Sequence, residues 1–201
     1  MRNFCVIDSG ITGATIANLL SKKHTVDLYD KSRWHGGRSS FKRLDENRGF
    51  DHRAQYFSPK SVEFKKFTKM LIEKKILKLW GGNHRFLSDK KKENKKHIKI
   101  IGSKGNSDIS KYLLKDINCN FQSELKKISF SNKKWNLTFS NGMIKTYENL
   151  ILTCPFPQLK KLSKKYIQNS FIREKIKMDA NITVLIEIKK TNLNLSSFLF
   201  N

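Results

Sequence analysis

The stretch from Cys5 to Ala14, CVIDSGITGA, constrains the fold of this 201-residue chain more than any other. The apolar run Asn3 to Ile7 is typical of a buried parallel strand, and Gly13 to Lys22 has the pattern of a helix. A turn of small residues joins the two. A second apolar run, Val26 to Tyr29, completes a β-α-β unit within the first 30 residues or so. The sequence therefore predicts an α/β fold that opens with this unit.

The turn between strand and helix resembles a dinucleotide-binding loop, whose pattern GxGxxG needs glycine at three points. Gly10 and Gly13 hold the second and third of these positions, and Asp8 stands at the first. A carboxylate at the end of the second strand is expected to bind the ribose hydroxyls, and Asp30 lies there, 17 residues after Gly13. Taken alone, the motif fits a dinucleotide site or an ordinary strand–turn–helix.

Asp8 departs from the pattern in charge more than in shape. Aspartate tolerates turn and left-handed backbone geometry, so the turn itself can survive. A carboxylate a few ångströms from a diphosphate costs roughly 1 kcal/mol or more at a surface-like dielectric constant. The Gly36–Arg38 segment, GGR, follows Asp30 within eight residues. Its glycines let the backbone approach a ligand and Arg38 can neutralise phosphate, which favours the dinucleotide site over a plain polar loop.

Helix and strand signals continue along the rest of the chain. In the first helix Ile16, Leu19 and Leu20 have the spacing of a face that packs on a sheet. Further predictions are a helix from Ser58-Pro59 to Lys75, a helix from Ser107 to Lys115, a hairpin around Asn141-Gly142, a strand from Leu150 to Thr153, a helix from Gln158 to Tyr166 and a strand from Thr183 to Ile188.

Charge and cysteine content narrow the class of function. The net charge is +24, which suits either a nucleic-acid binder or lysines spread over solvated faces. The lysines are scattered, and the densest run, Lys90 to Lys96, has no interleaved aromatic residues, so we expect no specific nucleic-acid partner. The three cysteines lack metal-ligand spacing, and we expect no metal site. No run approaches the ~20 apolar residues of a membrane helix. We therefore expect a cytoplasmic protein without a membrane partner.

Five segments together resemble the FAD-dependent amine-oxidase superfamily and, within it, the renalase-like oxidoreductases. In chain order they are VIDSGITGATIANLL, DLYDKSRWHGGRSS, FDHRAQYFSPKSVEF, IIGSKGNSDISKYL and LILTCPFPQLKKL. They keep the order of the family, and the second and third are the more specific. The resemblance implies a Rossmann-like FAD-binding domain of the two-dinucleotide-binding-domain type, with an α+β substrate domain inserted in it.

The same resemblance implies FAD as cofactor and assigns its contacts. Gly10, Thr12 and Gly13 match the pyrophosphate loop, Asp30 the ribose-binding acid, Gly37 and Arg38 the flavin-contact motif, and Gln55 and Tyr56 a segment beside the flavin. The implied division is residues 1–58 and 102–163 for the FAD-binding domain, 59–101 for the start of the substrate domain, and 164–201 for a truncated part of it.

Three departures from the family accompany these assignments. Arg53 stands where the family has glycine, and Asn106 where it usually has methionine. The chain also matches only the N-terminal part of such proteins, so we expect a truncated form. The implied function is hydride transfer from an amine or a reduced nicotinamide-like small molecule to flavin, with dioxygen as acceptor. No residue is assigned as a catalytic acid or base. A non-catalytic remnant of such a flavoprotein and a basic nucleic-acid-binding module remain as alternatives.

Overall fold

A computed structural model describes most of the chain, and side chains are described except in 84–87 and 197–200. The described residues are 1–46, 48–81, 84–87, 98–166, 176, 178–179, 182–184 and 197–200. The lysine-rich run Lys90–Lys96 lies outside them, as do residues 185–188 of the predicted late strand. Thr183 and Val184, at the start of that prediction, have no regular secondary structure.

The described part of the chain alternates strands with four helices. The strands are β1 (Asn3–Ile7), β2 (Thr25–Tyr29), β3 (Phe41–Arg43), β4 (Gly49–Asp51), β5 (Leu77–Leu79), β6 (His84–Leu87), β7 (Ile100–Gly102), β8 (Asn118–Asn120), β9 (Leu125–Ser131), β10 (Lys134–Phe139), β11 (Ile144–Tyr147), β12 (Asn149–Leu152) and β13 (Ser197–Phe200). The helices are α1 (Ile11–Ser21), α2 (Val62–Glu73), α3 (Asp108–Leu113) and α4 (Phe156–Ser163), and a 3₁₀ turn covers Gly37–Ser39. Of the helices in these ranges, none is long and apolar enough to cross a membrane.

A four-stranded parallel sheet with the order β12-β1-β2-β8 forms the centre of the molecule. The chain leaves β1 through α1 and returns in β2, which confirms the predicted β-α-β unit. Much later it adds β12 on the other side of β1, with Cys5 opposite Leu150. The fold is Rossmann-like α/β, as the sequence predicts. Because β12 and β2 flank β1, the loops after all three strands meet at one edge of the sheet.

The sheet carries a hydrophobic core on each face. Successive side chains of a strand point to opposite faces, and Val6 packs with the helices while Cys5 and Ile7 pack with the antiparallel sheet β11-β10-β9. The helical side includes buried residues of α1, α2 and α3. The parallel strands are thus covered on both sides, which is why they read as nearly continuous apolar runs.

Helix α1 packs through small residues, contrary to the predicted face. Gly13, Ala14 and Ala17 are its buried residues, and Leu19 is 57% exposed. The prediction that Leu19 faces the sheet is wrong. The spacing of large apolar residues does not show which face is buried here, because the small side chains let the helix backbone approach the strands closely. Leu20 does pack against the core, although it is only partly buried.

The start of α2 and the turn between β10 and β11 test two predictions made from capping and turn residues. Helix α2 begins at Val62, and its cap is Ser61, whose hydroxyl accepts a hydrogen bond from the Phe64 N–H at 3.1 Å. The predicted start at Ser58-Pro59 is therefore too early, since the serine nearest to the first turn takes the capping position. The hairpin around Asn141-Gly142 is confirmed: it joins β10 to β11, and Gly142 has a φ of +81°.

Candidate dinucleotide-binding site

A cleft of about 500 Å³ opens where the carboxyl ends of β1, β2 and β12 meet the start of α1. Ligands of open α/β sheets bind at such an edge. Six of the eight predicted cofactor-binding residues line the cleft: Gly10, Thr12, Gly13, Asp30, Gly37 and Arg38. Residues that sequence reasoning did not assign to cofactor binding also line it, among them Asp8, Trp34, Arg53, Thr153 and Gln158.

The turn after β1 is shaped by Asp8. Its backbone lies in the left-handed region with a φ of +89°, and its N–H donates to the carbonyl oxygen of Tyr29 at 2.9 Å. Its side chain turns back on the loop, where Oδ1 accepts a hydrogen bond from the Gly10 N–H at 2.7 Å. Aspartate commonly bonds to the backbone two residues ahead in this way. Asp8 therefore makes the turn that glycine makes in the common pattern.

Gly13 holds α1 against the turn and the end of β12. A Cβ atom added to Gly13 would overlap the Asp8 carbonyl oxygen and lie 2.7 Å from Thr153 Oγ1. Thr153 is itself tied to β1, since its hydroxyl donates to the Ile7 carbonyl oxygen at 2.7 Å. The third position of the pattern thus needs glycine for packing of helix on strand.

The double glycine brings a second stretch of backbone to the turn. Gly36 and Gly37 have φ angles of +116° and +52°, which favour glycine. The Gly36 N–H donates to the Ser9 carbonyl oxygen at 3.2 Å, and a Cβ on Gly37 would lie 3.0 Å from the Gly10 Cα. The predicted loop and the GGR segment, separated by more than 20 residues in sequence, are therefore in direct backbone contact.

Asp30 ties the ends of β1 and β2 together. Its Oδ2 accepts hydrogen bonds from the N–H and the hydroxyl of Ser9, and its Oδ1 accepts from the N–H and the hydroxyl of Ser32 at 2.8 and 2.7 Å. The residue is only 6% exposed. A carboxylate oxygen has about two acceptor sites, so Oδ2 is fully engaged by Ser9. The single hydroxyl hydrogen of Ser32 is shared between Oδ1 and the Trp34 carbonyl oxygen, which lies 2.7 Å from that hydroxyl. Asp30 orders the turn through these bonds.

Charges of both signs surround the cleft. Lys31, Arg38 and Arg53 supply positive charge, and Asp8 and Asp30 supply negative charge. Burial raises the pKa of the Asp8 carboxyl, with Asp30 adding to the rise, whereas the Gly10 hydrogen bond, Lys31 and Arg38 oppose it. The three cations and the glycine backbone suit a diphosphate, whereas the Asp8 carboxylate, which lies against that backbone, does not.

The remaining two predicted residues lie apart from the cleft. Gln55 is exposed, and Tyr56 packs on Trp80 with ring centroids 5.7 Å apart. The Lys99 ammonium lies 4.8 Å from the centre of the Tyr56 ring, a cation–π contact. Arg53 and Ala54, just before them, do line the cleft. The structure thus places the start of this segment at the site, and its assignment beside a flavin stays a prediction.

The contacts of Asn106 account for the asparagine at a position where the resembled family usually has methionine. Its side chain is completely buried: Oδ1 accepts from the Gly102 N–H at 2.8 Å, and Nδ2 donates to the Ala54 carbonyl oxygen at 2.6 Å. Its own N–H donates to Asp51 Oδ1 at 2.7 Å. Methionine could make neither side-chain bond. Asn106 thus holds the segment after β7 against the backbone of Ala54, a residue that lines the cleft. Burial raises the pKa of Asp51 to about 6.

Sequence reasoning missed the residues that fasten the site from a distance. No sequence motif assigns a role to Ser9 or Ser32, and Thr153 is predicted only as the end of a strand. Ser9 lies 21 positions from its partner Asp30, and Ser32 lies 2 positions from the same residue. Thr153 lies 146 positions from its partner Ile7. Of these three contacts only the one between Asp30 and Ser32 is local, because the two residues lie two positions apart in the sequence. The contact of Thr153 depends on strand order, which no short motif encodes.

Comparisons with known proteins agree with this geometry. Residues 6–71 match the family model of the NAD(P)-binding Rossmann-like domain. The fold is similar to that of tetracycline destructase Tet(51), with a TM-score of 0.57 and 14% identity over 85% of this chain and 42% of that one. It is also similar to a protein from Exiguobacterium sp. 255-15 assigned to the protoporphyrinogen oxidases, with a TM-score of 0.63 and 10% identity over 86% of this chain and 63% of the other. At these identities the likeness establishes the Rossmann-like fold, and this chain spans less than two thirds of either structure.

Proposed function

We propose that this chain binds FAD in the cleft and forms the cofactor-binding part of a flavin-dependent oxidoreductase of the amine-oxidase or renalase type. The observation that carries the proposal is the convergence of the β1–α1 turn, Asp30 and the GGR segment on one cleft of about 500 Å³. Two separate glycine-containing stretches of backbone beside cations suit a diphosphate, and that volume falls within the range of small-molecule pockets. The likeness to two proteins named for reactions on small molecules supports the same class.

The residues fit the diphosphate part of a dinucleotide with one exception. Gly10 is the N-terminal cap of α1, so the positive end of the helix dipole points into the cleft. Arg38 lines the same wall and provides a forked set of donors. Asp8 is the exception, because its carboxyl group already accepts the Gly10 N–H.

When bound, the flavin supplies the hydride acceptor, and dioxygen restores it. The chain contributes binding and orientation: the turn and GGR segment hold the dinucleotide, and Arg53 brings a positive charge to the cleft wall that suits an anionic group on the substrate or cofactor. We propose an amine or a reduced nicotinamide-like molecule as hydride donor.

One observation favours a second candidate, a flavoprotein fold that binds no flavin. Asp8 presents a carboxylate at the point where a diphosphate would lie, with its oxygen 2.7 Å from the Gly10 nitrogen. A chain that has lost the selection for cofactor binding could keep such a residue. The two candidates differ in one measurable property, the affinity for FAD.

The test is a titration of the purified protein with FAD and, separately, with NAD⁺, followed by flavin absorption and fluorescence and by thermal unfolding. We expect FAD to bind more tightly and to raise the melting temperature. Arg38→Met should weaken FAD binding at least tenfold, because charge-assisted hydrogen bonds to phosphate contribute about 1.5–3 kcal/mol. Arg43→Met, which removes an exposed arginine of β3 outside the cleft, is the control and should leave the affinity unchanged. A colourless protein that FAD does not stabilise would favour the second candidate.

A further inference from the structure

We propose that a diphosphate binds the β1–α1 turn together with one proton, which the Asp8 side chain carries in the complex. Asp8 is then the residue that decides under which conditions the cleft accepts a dinucleotide. The inference rests on the proposed function, since it concerns the same cleft. It is not implied by the resemblance to known flavoproteins, in which glycine occupies this position.

The position of the Asp8 carboxyl group carries the inference. Oδ1 lies 2.7 Å from the Gly10 nitrogen. A Cβ atom placed on Gly10 would come within 2.9 Å of Oδ1, and one placed on Gly37 within 3.3 Å. The carboxyl group therefore fills the gap between the two glycines. It takes the N–H group that a phosphate oxygen uses in an ordinary loop of this kind.

The backbone of Asp8 is held where it is. Its N–H bonds to Tyr29 in β2, and its carbonyl oxygen lies so close to Gly13 that no side chain fits between them. A diphosphate in the turn must therefore accommodate the Asp8 side chain. If the carboxyl group is ionised, two anions meet in a half-buried place. If it is protonated, Oδ1 still accepts from Gly10 while Oδ2 carries a hydrogen that it can donate to a phosphate oxygen.

The groups that face Asp8 come from every element around the turn. Asp30 and Lys31 after β2, Arg38 in the GGR segment and Cys154 after β12 interact with it electrostatically. Arg53 lines the same cleft, and Glu124, Lys126 and Lys161 line a smaller adjoining cavity that Asp8 also borders. Burial and Asp30 favour the protonated carboxyl, while Lys31 and Arg38 favour the ionised one. A diphosphate adds negative charge beside Asp8 and engages the same cations. The complex therefore holds the proton more tightly than the free protein does.

Proton linkage then fixes the pH dependence. Between the pKa of Asp8 in the free protein and its higher pKa in the complex, each dinucleotide that binds takes up as much as one proton from solvent. The dissociation constant rises up to tenfold per pH unit in that range, and it levels off above the pKa of Asp8 in the complex. Below the pKa of the free carboxyl, the affinity becomes independent of pH because Asp8 is protonated before and after binding.

The experiment measures the FAD dissociation constant from pH 5.5 to 8.5 for the wild-type chain and Asp8→Asn. Asparagine keeps an oxygen that can accept from Gly10 and tolerates a positive φ, but it carries no titrating proton. We expect the wild-type affinity to fall at least tenfold across the range while that of Asp8→Asn changes less than twofold. At pH 8 the variant should bind at least tenfold more tightly. Calorimetry of the wild-type chain in two phosphate-free buffers of different ionisation enthalpy, such as HEPES and Tris, should show proton uptake on binding.

The outcomes separate this inference from the function beneath it. FAD binding with parallel pH profiles in both proteins, and with binding enthalpies that do not depend on the buffer, overturns the role of Asp8 and leaves the proposed function standing. Failure of both proteins to bind FAD at any pH overturns the proposed function, and the inference falls with it. If Asp8→Asn does not fold, as judged by circular dichroism, the calorimetric proton count on the wild-type chain decides alone.

Discussion

The packing of Gly13 allows a quantitative prediction for Gly13→Ala. In an exposed helix this change stabilises by about 1 kcal/mol, because alanine is the better helix former. Here the added methyl group would overlap the Asp8 carbonyl oxygen and lie 2.7 Å from Thr153 Oγ1, which is 0.7 Å inside the 3.4 Å at which ordinary contact begins. The Asp8 backbone is held by the bond from its N–H to Tyr29, and the Thr153 hydroxyl by its bond to Ile7, so the helix must move instead.

The size of the effect follows from what a movement of α1 disturbs. Ala14 and Ala17 are completely buried against the sheet, and shifting the helix loosens both contacts. Overpacking of this kind costs about 1–3 kcal/mol and more where backbone must move. After subtracting the gain in helix propensity, we expect a net loss of about 2 kcal/mol in the free energy of unfolding. For a chain of this length that corresponds to a fall of about 4–8 °C in melting temperature.

Urea unfolding followed by circular dichroism measures the loss, and thermal unfolding provides a second reading. Gly81→Ala is the matched control: no atom lies within 4 Å of the added Cβ and the backbone is not left-handed. It should change the stability by less than about 0.5 kcal/mol. Equal or higher stability of Gly13→Ala relative to the wild-type chain would refute the packing argument.

Two further predictions concern buried polar groups. Tyr147→Phe should cost about 1–3 kcal/mol in urea unfolding, because the Tyr147 hydroxyl donates to Asp27 Oδ2 at 2.7 Å and lies 2.8 Å from the Tyr29 hydroxyl, and both would lose a partner. Ile144→Ala, an exposed change on the same strand, should be nearly neutral. Because the pKa of Asp51 is raised from 3.8 to about 6 in the folded chain, its stabilising contribution is complete below pH 3.8 and is lost as the pH rises through about 6. Urea unfolding at pH 4.5 and 7.5 should show the wild-type chain losing about 1–2 kcal/mol more than Asp51→Asn, after allowance for solvent screening, and equal losses would contradict this account.

Local sequence predicted the elements that depend on local chemistry. The β-α-β unit follows from an apolar run, a turn of small residues and a helical pattern within the first 30 residues or so. The Asn141-Gly142 hairpin follows from a residue that accepts a positive φ. Six of the cofactor-binding predictions also fall on one cleft, since each lies at the carboxyl end of a parallel strand, in the loop that follows it or in the first turn of α1.

Tertiary structure alone decided the rest, because the contacts concerned join residues far apart in the chain. The sequence placed Asp30 at the end of β2, but only the fold brings Ser9 within hydrogen-bond distance and engages the carboxylate with protein donors. It marked Asp8 as an exception to the glycine pattern, but only the fold shows that its carboxyl group lies between Gly10 and Gly37. Residue spacing specifies which groups are near the turn, whereas the contacts of Asp30 with Ser9 and of Asp8 with the GGR segment form only once β1 and β2 pair in the sheet.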